Sequence, residues 1–595
     1  MACGLLAALV TLALYWPVRE NDFVWDDWAI VDRFADGLAA MSWQEALLRP
    51  PAEYAVLFRP LLMLTFLLQL WAGQTGPESF HIVNLLIHAG NVLLLTLVAW
   101  RLLDEPSLPP TQRLVLASLC GLIYGIHPAL TEPVIFISAR ADVVMTCMLC
   151  LAALGDQSLQ EGSRQRALAV GAGFLAALLS KETAVGFLAA LPFLHLARLR
   201  PQAPLGLHPL RTLWASHYRV YAALLGALAL YFAARFAVLG PAFGLTDMDS
   251  PARYIGSFGQ HALVVVASLA QHIGNALWPF QNIAPGRQLP LPIDAMEVLP
   301  TAAASAAVIV VALLAAWKGG AGRVPALLFL AFVAALIPVA NIVPIPAVTD
   351  PREIGVASRY LTFPLVFACL AVPFLVRSAD TALAKRVRYG RAFLGLILAV
   401  WLLGSAANVR VIIPLWKNDA VMNTWAIRQD GPSSWRYANL GAYYVRQWEL
   451  PKARDAYLRA IELHPDYHFA WYALGAIETS LGNYESAIRA HRRALETNPD
   501  DYMNRIRLAV LERSRNRSQT AVELLEEALR RPRDPHFDPQ YEGRIRLHLG
   551  LAYLDSGRSQ EAETQFSAAH ALVRDPGDRA AVEQALQAVR ARNKK

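Results

Sequence analysis

Four carboxylates lie within residues 21–33, which read NDFVWDDWAIVDR and follow directly on an apolar N-terminal run. Asp26 and Asp27 are adjacent, whereas Asp22 and Asp32 stand apart and are predicted to be solvated loop residues. A positioned carboxylate can take a proton from a reacting hydroxyl, which contributes roughly 10²–10⁴-fold to a reaction rate. The pair of Asp26 and Asp27 therefore predicts a site of general base catalysis.

Three basic residues stand beside polar neighbours at the ends of later apolar runs. Arg140 belongs to the sequence SARAD, Lys181 to SKE and Arg359 to SRYL. Taken singly, each could anchor a helix end or form a local ion pair, Arg140 with Asp142 and Lys181 with Glu182. Taken together, three cations on the same side as a carboxylate pair predict a phosphate clamp with a base beside it.

One apolar run carries four polar residues at steps of three, four and three: His81, Asn84, His88 and Asn91. This spacing places them on one face of a helix, and polar groups within a bilayer must face the interior of a helix bundle. Hydrogen bonds between helices would explain such a face, and lining a substrate cavity is the alternative. Two histidines seven residues apart with no nearby carboxylate do not form a metal-site pattern, so no metal is expected.

The chain has 595 residues, 55% of them hydrophobic, and they fall into two regimes. As far as about Ile413 the sequence is a series of apolar runs near the ~20 residues that cross a bilayer. Beyond about Lys417 such runs end. The composition predicts an all-α protein: a polytopic membrane helical bundle over residues 1–416, a linker at 417–433 and a soluble domain at 434–595. The net charge of +7 indicates no nucleic-acid partner, since many basic residues lie in short loops between the runs.

The apolar runs predict about eleven membrane spans. These lie at about residues 3–16, 80–103, 113–127, 136–155, 165–180, 183–198, 217–239, 300–317, 323–345, 360–376 and 391–413. Loops that carry arginine and lysine alternate with loops that lack them, and the basic loops are expected on the cytoplasmic side. The N-terminus is then inside, whereas the first external loop (residues 17–79) and the C-terminal domain are outside.

Two further apolar segments are predicted not to cross. Phe58–Trp71 is too short to span comfortably and is expected at the interface or in a fold-back. The run 258–279 carries His261, Gln271, His272 and Asn275. It is expected to be an external or re-entrant helix, because the loop charges require an odd number of crossings between about residues 240 and 317. The N-terminal run lacks a basic flank and a cleavage site, so a retained span is expected there.

The C-terminal domain contains an internal repeat. Gly441 and Gly475 are 34 residues apart, and so are Pro465 and Pro499. Small residues where two helices touch, large apolar residues between them and a closing proline are typical of the tetratricopeptide (TPR) repeat. Four repeats are predicted, at 434–467, 468–501, 502–535 and 543–576, which is enough for an α-solenoid with a concave binding face.

With these motifs in view, the chain resembles the GT-C superfamily of glycosyltransferases, which use polyprenyl-phosphate-linked sugars. Within that superfamily it resembles the TMTC family, transmembrane and TPR-containing proteins that O-mannosylate other proteins. The resemblance rests on the repeat tail and on the order of these segments: FVWDDWAI (23–30), FRPL with Thr65 (58–65), FHIVNLLIH (80–88), HPALTEPV (127–134), SARAD (138–142), SKE (180–182) and SRYL (358–361).

The resemblance implies an inverting transfer (EC 2.4.1) of mannose or another hexose from a polyprenyl-phosphate-sugar to a protein serine or threonine. It favours Asp26 as the base, with Asp27 orienting it or contacting the acceptor. Arg140, Lys181 and Arg359 are expected to bind the donor phosphate without a metal or another cofactor. The residues expected to line the surrounding cavity are Arg59, His81, Asn84, His88, Asp142, Glu182 and Tyr360. The TPR tail is expected to recruit the acceptor protein, and membrane lipids are expected to surround the bundle.

Two positions depart from the family pattern and leave the sugar and the acceptor open. Ser358 stands where a glutamate is usual, and Thr362 where a tyrosine is usual. The short loops and the Ala-, Leu- and Arg-rich composition favour a bacterial inner-membrane protein with its acidic loop and tail in the periplasm. The alternatives are a transferase with a lipid or glycan acceptor, a non-enzymatic TPR scaffold, and a secondary transporter, which would show internal repeats among the spans.

Overall fold

The computed structural model describes residues 2–28, 47–48, 57–199, 207–239, 257–280, 285, 288–342, 353–386, 389–531 and 539–593. These residues form two compact units, Met1–Asp430 and Gly431–Lys595, each with its own apolar core. Asp32, one of the four predicted loop carboxylates, lies outside the described residues.

The first unit is built almost entirely from helices. They are α1 (Ala2–Tyr15), α2 (Pro60–Trp71), α3 (Pro77–Leu102), α4 (Pro110–Gly125), α5 (Thr131–Ile135), α6 (Arg140–Ser158), α7 (Arg164–Leu178), α8 (Gly186–Leu199), α9 (Leu207–Leu239), α10 (Phe258–Leu277), α11 (Ala295–Lys318), α12 (Arg323–Ala335), α13 (Pro364–Arg386), α14 (Gly390–Ile412) and α15 (Asp419–Asp430). Short single-turn helices extend or join them at Trp16–Glu20, Pro128–Leu130, Ile137–Ala139, Glu182–Val185, Ile337–Val339, Ser358–Leu361 and Ile413–Trp416. The segment predicted as a linker, 417–433, thus contains α15, whose Met422 and Ala426 are buried.

Eight helical segments in the described part of the chain are long and apolar enough to cross a membrane. The helices of 110–135, bent by 52° at the break near His127, make a ninth if they form one span. A helix lies in each of the eleven predicted spans, and the shortest of them are α12 with 13 residues and α1 and α8 with 14 residues each. The predicted polytopic helical bundle is confirmed, and the number and direction of its crossings stay a prediction.

The chain returns to the start of α10 before it enters α11. The Gln260 side chain donates to the Ile293 carbonyl at 3.2 Å and accepts from the Ile293 N–H at 2.9 Å. Between these residues, strand β1 (Gln288–Pro290) pairs antiparallel with β2 (Glu353–Gly355), which lies just before the turn at Ser358. That the run 258–279 does not cross the membrane stays a prediction.

Small residues let the helices at the centre of the bundle approach closely. A Cβ atom on Gly125 of α4 would lie 2.2 Å from the Thr11 hydroxyl of α1, and one on Gly186 of α8 would lie 2.7 Å from the Ala335 carbonyl of α12. Close packing at small residues is a usual source of cohesion between membrane helices, because lipid supplies no hydrophobic drive for their association. The packing fixes the helix ends that carry the polar side chains.

The second unit consists of successive antiparallel helix pairs. Its helices are α16 (Ser434–Arg446), α17 (Leu450–Leu463), α18 (His468–Ser480), α19 (Tyr484–Thr497), α20 (Tyr502–Ser514), α21 (Ser518–Arg530), α22 (Pro539–Asp555), α23 (Ser559–Leu572) and α24 (Pro576–Asn593). At the repeat glycines the two helices of a pair touch: a Cβ on Gly441 would meet the Tyr457 ring at 2.6 Å, and one on Gly550 the Phe566 ring at 2.5 Å. These contacts explain the predicted small residues of the repeat, because a larger side chain at either glycine would collide with the aromatic ring of the paired helix.

Candidate active site

The acidic turn, residues 21–28, is held by the segment that follows the last long apolar helix. The Asn21 side chain donates to the Ile413 carbonyl at 3.1 Å, and the Asp22 N–H donates to the Lys417 carbonyl at 2.9 Å. The Trp25 N–H then donates to the buried carboxylate of Asp419 at 2.9 Å. Three anchors within five residues fix the backbone that presents Asp26 and Asp27.

Asp27 is buried and fully engaged within the protein. Its Oδ1 accepts both the backbone N–H and the hydroxyl of Ser138 at 2.7 Å, and its Oδ2 accepts the Val24 N–H at 3.2 Å. Burial raises the pKa of Asp27 to about 7, although the hydrogen bonds from Ser138 and Val24 favour the carboxylate and oppose the rise. Asp27 therefore joins the acidic turn to the start of α6.

Asp26, unlike Asp27, is not buried. Its side chain is exposed at the surface of the site. Protein nevertheless surrounds it on most sides, and this desolvation raises the pKa of Asp26, while the positive charge of Arg359 lowers it. The preceding residue, Trp25, has a left-handed φ of 49°, so the chain turns sharply before the two acids. Of the two, Asp26 is the carboxylate that a substrate can reach.

Glu132 holds Arg359 and is a site residue that the sequence motifs did not single out. Its buried carboxylate accepts the Ser358 N–H at 2.9 Å and the Ser358 hydroxyl at 2.6 Å on one oxygen, and Arg359 Nη1 at 2.5 Å on the other. The Arg359 side chain remains 26% exposed. One carboxylate thus fixes both the turn and the direction of the guanidinium.

The other two cations of the site are paired across the bundle. Lys181 Nζ lies 2.7 and 2.6 Å from the two carboxylate oxygens of Asp142, and Arg59 forms a bidentate pair with Glu182 at 3.0 and 2.6 Å. Burial lowers the pKa of Lys181, and the nearby charges of Arg59 and Arg359 lower it further, whereas Asp142 raises it. Arg59, Lys181 and Arg359 therefore form one electrostatic cluster, the cation cluster.

The local ion pairs considered as the alternative for single cations do not form. Lys181 binds Asp142 instead of Glu182, and Arg140 binds Asn84 instead of Asp142. Arg140 and Asp142 are two positions apart on one helix and so do not face each other, and Lys181 is an extended residue just before the short helix Glu182–Val185.

Arg140 is completely buried, which separates it from the cation cluster. Its Nε donates to Asn84 Oδ1 at 2.6 Å and its Nη2 to the Phe80 carbonyl at 3.1 Å. The guanidinium lies 4.4 Å from the centre of the Phe66 ring. In this arrangement Arg140 packs α6 against α3 and α2.

The polar face of α3 lies in the interior of the bundle, as its spacing predicted. His81, Asn84, His88 and Asn91 are all buried. Besides the Asn84 contact with Arg140, His88 Nε2 lies 3.0 Å from the Gly125 carbonyl, and Asn91 donates to the Val143 carbonyl at 2.9 Å. Hydrogen bonds between helices thus account for Asn84, His88 and Asn91.

Tyr360 connects the cation cluster to α10. Its half-buried ring lies 5.3 Å from Lys181 Nζ and 5.4 Å from the Arg359 guanidinium carbon. The other ring neighbour is His272 of α10, stacked at 6.2 Å between centroids. The aromatic ring thus forms part of the wall of the site.

An apolar groove of about 570 Å³ lies beside this site. Its wall includes Leu365, Ala368 and Cys369 of α13, the helix that begins just after the Ser358–Leu361 turn. His127, five residues before Glu132, also lines it. The groove therefore borders the segments that carry Glu132 and Arg359, and its chemistry suits a hydrocarbon chain.

The fold defines a helical membrane protein with a tetratricopeptide tail. One tetratricopeptide repeat family model matches residues 468–501, and a second matches residues 506–579. The first match covers the second predicted repeat.

Curated relatives of this chain are named protein O-mannosyl-transferases. The chain is 36% identical over 132 residues to protein O-mannosyl-transferase Tmtc1 of Drosophila melanogaster, covering 22% of this chain and 14% of the relative. It is 31% identical over 172 residues to TMTC1 of Homo sapiens, covering 27% of this chain and 18% of the relative. The chain thus spans less than a fifth of the length of these relatives. Among solved structures, YrrB, a TPR protein with an unusual peptide-binding site, matches 29% of this chain and 84% of its own at 21% identity and a TM-score of 0.25.

Proposed function

We propose that this protein is a membrane glycosyltransferase that moves a hexose, mannose by analogy with its relatives, from a polyprenyl-phosphate-sugar to a serine or threonine hydroxyl of another protein. The observation that carries the proposal is an exposed carboxylate, Asp26, that feels the positive charge of Arg359, one member of the cation cluster. The names of the curated relatives support the same reaction class.

In the proposed step, the acceptor oxygen attacks the anomeric carbon while the bond from that carbon to the phosphate oxygen breaks. Asp26 takes the proton of the acceptor hydroxyl, and polyprenyl phosphate leaves on the opposite face with the electron pair. The positive charge of Arg359 favours the ionised form of Asp26, as a base requires. The sugar therefore inverts its anomeric configuration.

The departing phosphate gains negative charge, which the cation cluster is proposed to stabilise. Arg359 is the most exposed of the three cations, at 26%, and Arg59 and Lys181 are 14% and 6% exposed. Arg359 is therefore proposed as the direct phosphate ligand, while Lys181 and Arg59 act through their charge. Arg140, expected to bind phosphate, is proposed instead to hold α6 in position, because its guanidinium is fully buried.

The groove beside α13 is proposed to hold the polyprenyl chain. Its lining includes Leu365, near the start of the helix that follows the Ser358–Leu361 turn, so a lipid with its phosphate at Arg359 would lay its hydrocarbon tail along α13. Because bilayer hydrocarbon is as apolar as the groove, close packing and not the hydrophobic effect would hold the chain there. In this arrangement the donor would stay in the membrane through its polyprenyl chain while its phosphate lies at Arg359.

The TPR tail is proposed to recruit the acceptor protein. Repeat arrays of this kind present an extended concave surface, and tethering an acceptor raises its effective concentration at a linked catalytic site. The two family-model matches within residues 468–579 support the presence of that array.

Intact-mass spectrometry of exported and membrane proteins tests the proposal. The gene for this protein would be deleted in its own organism, and the deletion strain would be complemented with the wild type, Asp26→Asn or Asp22→Asn. We expect hexose increments on one or a few proteins to vanish on deletion and to return with the wild type. Asp26→Asn should not restore them, because an amide cannot accept the proton.

Asp22→Asn is the matched control, since it makes the same chemical change four residues away. The Asp22 carboxylate accepts only the neighbouring Phe23 N–H, at 2.8 Å, among the contacts of the described residues. This variant should restore the hexose increments. Full restoration by Asp26→Asn would remove Asp26 from the base role, and unchanged protein masses on deletion would reject a protein acceptor.

A further inference from the structure

Besides the apolar groove, a polar pocket of about 330 Å³ lies between the ends of α1 and α14. Glu20, Asn21, Arg410 and Lys417 are among the residues that line it. It is separate from the cation cluster, because none of its lining residues belongs to that cluster or to its acidic partners. Its position next to Asn21 places it directly behind the acidic turn.

The pocket lies where two candidate membrane spans end. The span Cys3–Glu20 and the span Gly390–Trp416 both terminate at its wall. Trp16 is exposed beside it, with the Arg19 guanidinium 5.1 Å from its ring centre. Tryptophan and basic side chains together are typical of the membrane–water interface, where lipid phosphates lie.

Two cations of this pocket have no acidic partner among the described residues. Arg410 donates to the Leu14 carbonyl at 3.3 Å, and Lys417 forms no ion pair with any described carboxylate. The one acid of the wall, Glu20, lies 3.8 Å from Arg19, which also reaches Glu78 at 3.3 Å. The pocket thus offers two available positive charges to an anion.

We propose that this pocket binds the phosphate of an anionic lipid headgroup and that the bound lipid stabilises the acidic turn. Two cations at the ends of candidate membrane spans suit an anionic headgroup, because charged hydrogen bonds to phosphate are strong. Asn21 lines the pocket and donates to Ile413, another lining residue, while the Asp22 N–H donates to the Lys417 carbonyl. A lipid that fixes Arg410 and Lys417 therefore also fixes the backbone leading to Asp26.

Native mass spectrometry of the purified full-length protein tests the binding. The probes are phosphatidylglycerol, phosphatidylcholine and inorganic phosphate, and the variant is Arg410→Gln with Lys417→Gln. The control is Arg101→Gln with Lys318→Gln, which removes the same charge from two exposed residues outside the pocket. We expect the wild type and the control to prefer phosphatidylglycerol to phosphatidylcholine. The double variant should bind phosphatidylglycerol about 30-fold more weakly, about 5-fold for each lost cation.

Hydrogen exchange on the same samples tests the link to the acidic turn. Phosphatidylglycerol should slow exchange of the amides of residues 21–28 in the wild type and the control, but not in the double variant. Equal binding by the double variant and the wild type, or an equal loss in the control, would overturn the proposal. Equal protection by inorganic phosphate would assign the pocket to a free anion and reject the lipid. None of these readouts depends on sugar transfer, so the outcome is independent of the proposed enzymatic activity.

Discussion

Ser138 donates two hydrogen bonds to one oxygen of Asp27, from its backbone N–H and from its hydroxyl, both at 2.7 Å. This double contact joins the acidic turn to the first turn of the α6 segment and buries Asp27 completely. The adjacent Asp26 stays exposed. Of two neighbouring acids, Ser138 therefore binds Asp27 inside the protein and leaves Asp26 accessible to a substrate.

Replacing Ser138 with alanine should raise the pKa of Asp27 further, because the hydroxyl bond favours the carboxylate. Burial already raises this pKa to about 7, so the folded protein binds the proton more tightly than the unfolded chain. The stability contributed by protonated Asp27 is present at acid pH and is lost as the pH rises towards 7. Infrared spectroscopy should detect a protonated carboxyl band that titrates near neutral pH in the wild type and at higher pH in Ser138→Ala. The band should be absent from Asp27→Asn.

Ser180→Ala is the control for that measurement, since the Ser180 hydroxyl donates to the Ala176 carbonyl at 2.9 Å and does not contact Asp27. It should leave the band where it is in the wild type. A band in Ser138→Ala that titrates at the same pH as in the wild type would show that the hydroxyl does not influence Asp27.

Glu132→Gln should weaken donor binding more than Ser358→Ala does. The glutamine keeps the shape but removes the negative charge beside Arg359, and its amide N–H must face one of the donors that Glu132 now accepts. An unmatched buried donor costs about 1–3 kcal/mol, whereas loss of the Ser358 hydroxyl bond costs about 1 kcal/mol. Donor KM, measured with a synthetic polyprenyl-phosphate-mannose, should rise about tenfold or more in Glu132→Gln and about fivefold in Ser358→Ala. Equal effects would mean that the charge of Glu132 is unimportant.

The fold was largely predictable because its signals are periodic. Apolar runs of span length and a 34-residue repeat each extend over many residues, and helices occupy all of the predicted positions. The face of α3 was also readable, since steps of three and four residues place His81, Asn84 and His88 on one side. Such patterns report a helix without any knowledge of its neighbours.

Side-chain partners were not predictable from the same information. Lys181 pairs with Asp142 across 39 positions of sequence, and Arg359 with Glu132 across 227. Glu132 did leave one signal: it is the one carboxylate of HPALTEPV, and a carboxylate within the membrane domain requires a partner. Which of Asp26 and Asp27 is exposed depends on the turn at Trp25, and neighbouring letters in a sequence do not reveal that turn.

Lys181→Met should destabilise the protein more than the double variant Lys181→Met with Asp142→Leu. The pair is buried, so removing one partner leaves an uncompensated charge at a cost of about 3–5 kcal/mol. Replacing both with apolar residues removes that charge and should restore most of the thermal stability in detergent. The double variant should still lack transferase activity, because Lys181 no longer supports the leaving phosphate. Equal melting temperatures for the single and double variants would contradict the paired burial.

Ala368→Phe should raise the KM for long-chain donors by narrowing the apolar groove. Ala368 lines the groove along α13, and an aromatic ring there would occupy space proposed for the polyprenyl chain. Donors with a short prenyl chain should be affected little, so the ratio of the two KM values is the informative measurement. Ala399→Phe is the matched control, because Ala399 is exposed on α14 and does not line the groove. An equal rise for short and long donors would place the lipid elsewhere.

Gly475→Ala should destabilise the TPR tail by forcing two helices apart. A Cβ at this position would lie 2.7 Å from the imidazole of His491, whose Nδ1 contacts Asn504 Oδ1 of the next repeat at 2.6 Å. Overpacking of this kind typically costs about 1–3 kcal/mol, and the displaced ring would also lose its contact with Asn504. Hydrogen exchange in the full-length protein should therefore become faster in α18, α19 and α20. The double variant Gly475→Ala with His491→Ala should be less destabilised than the sum of its single changes, because removing the ring makes room for the methyl group. Additive effects would show that the glycine is not required by the ring.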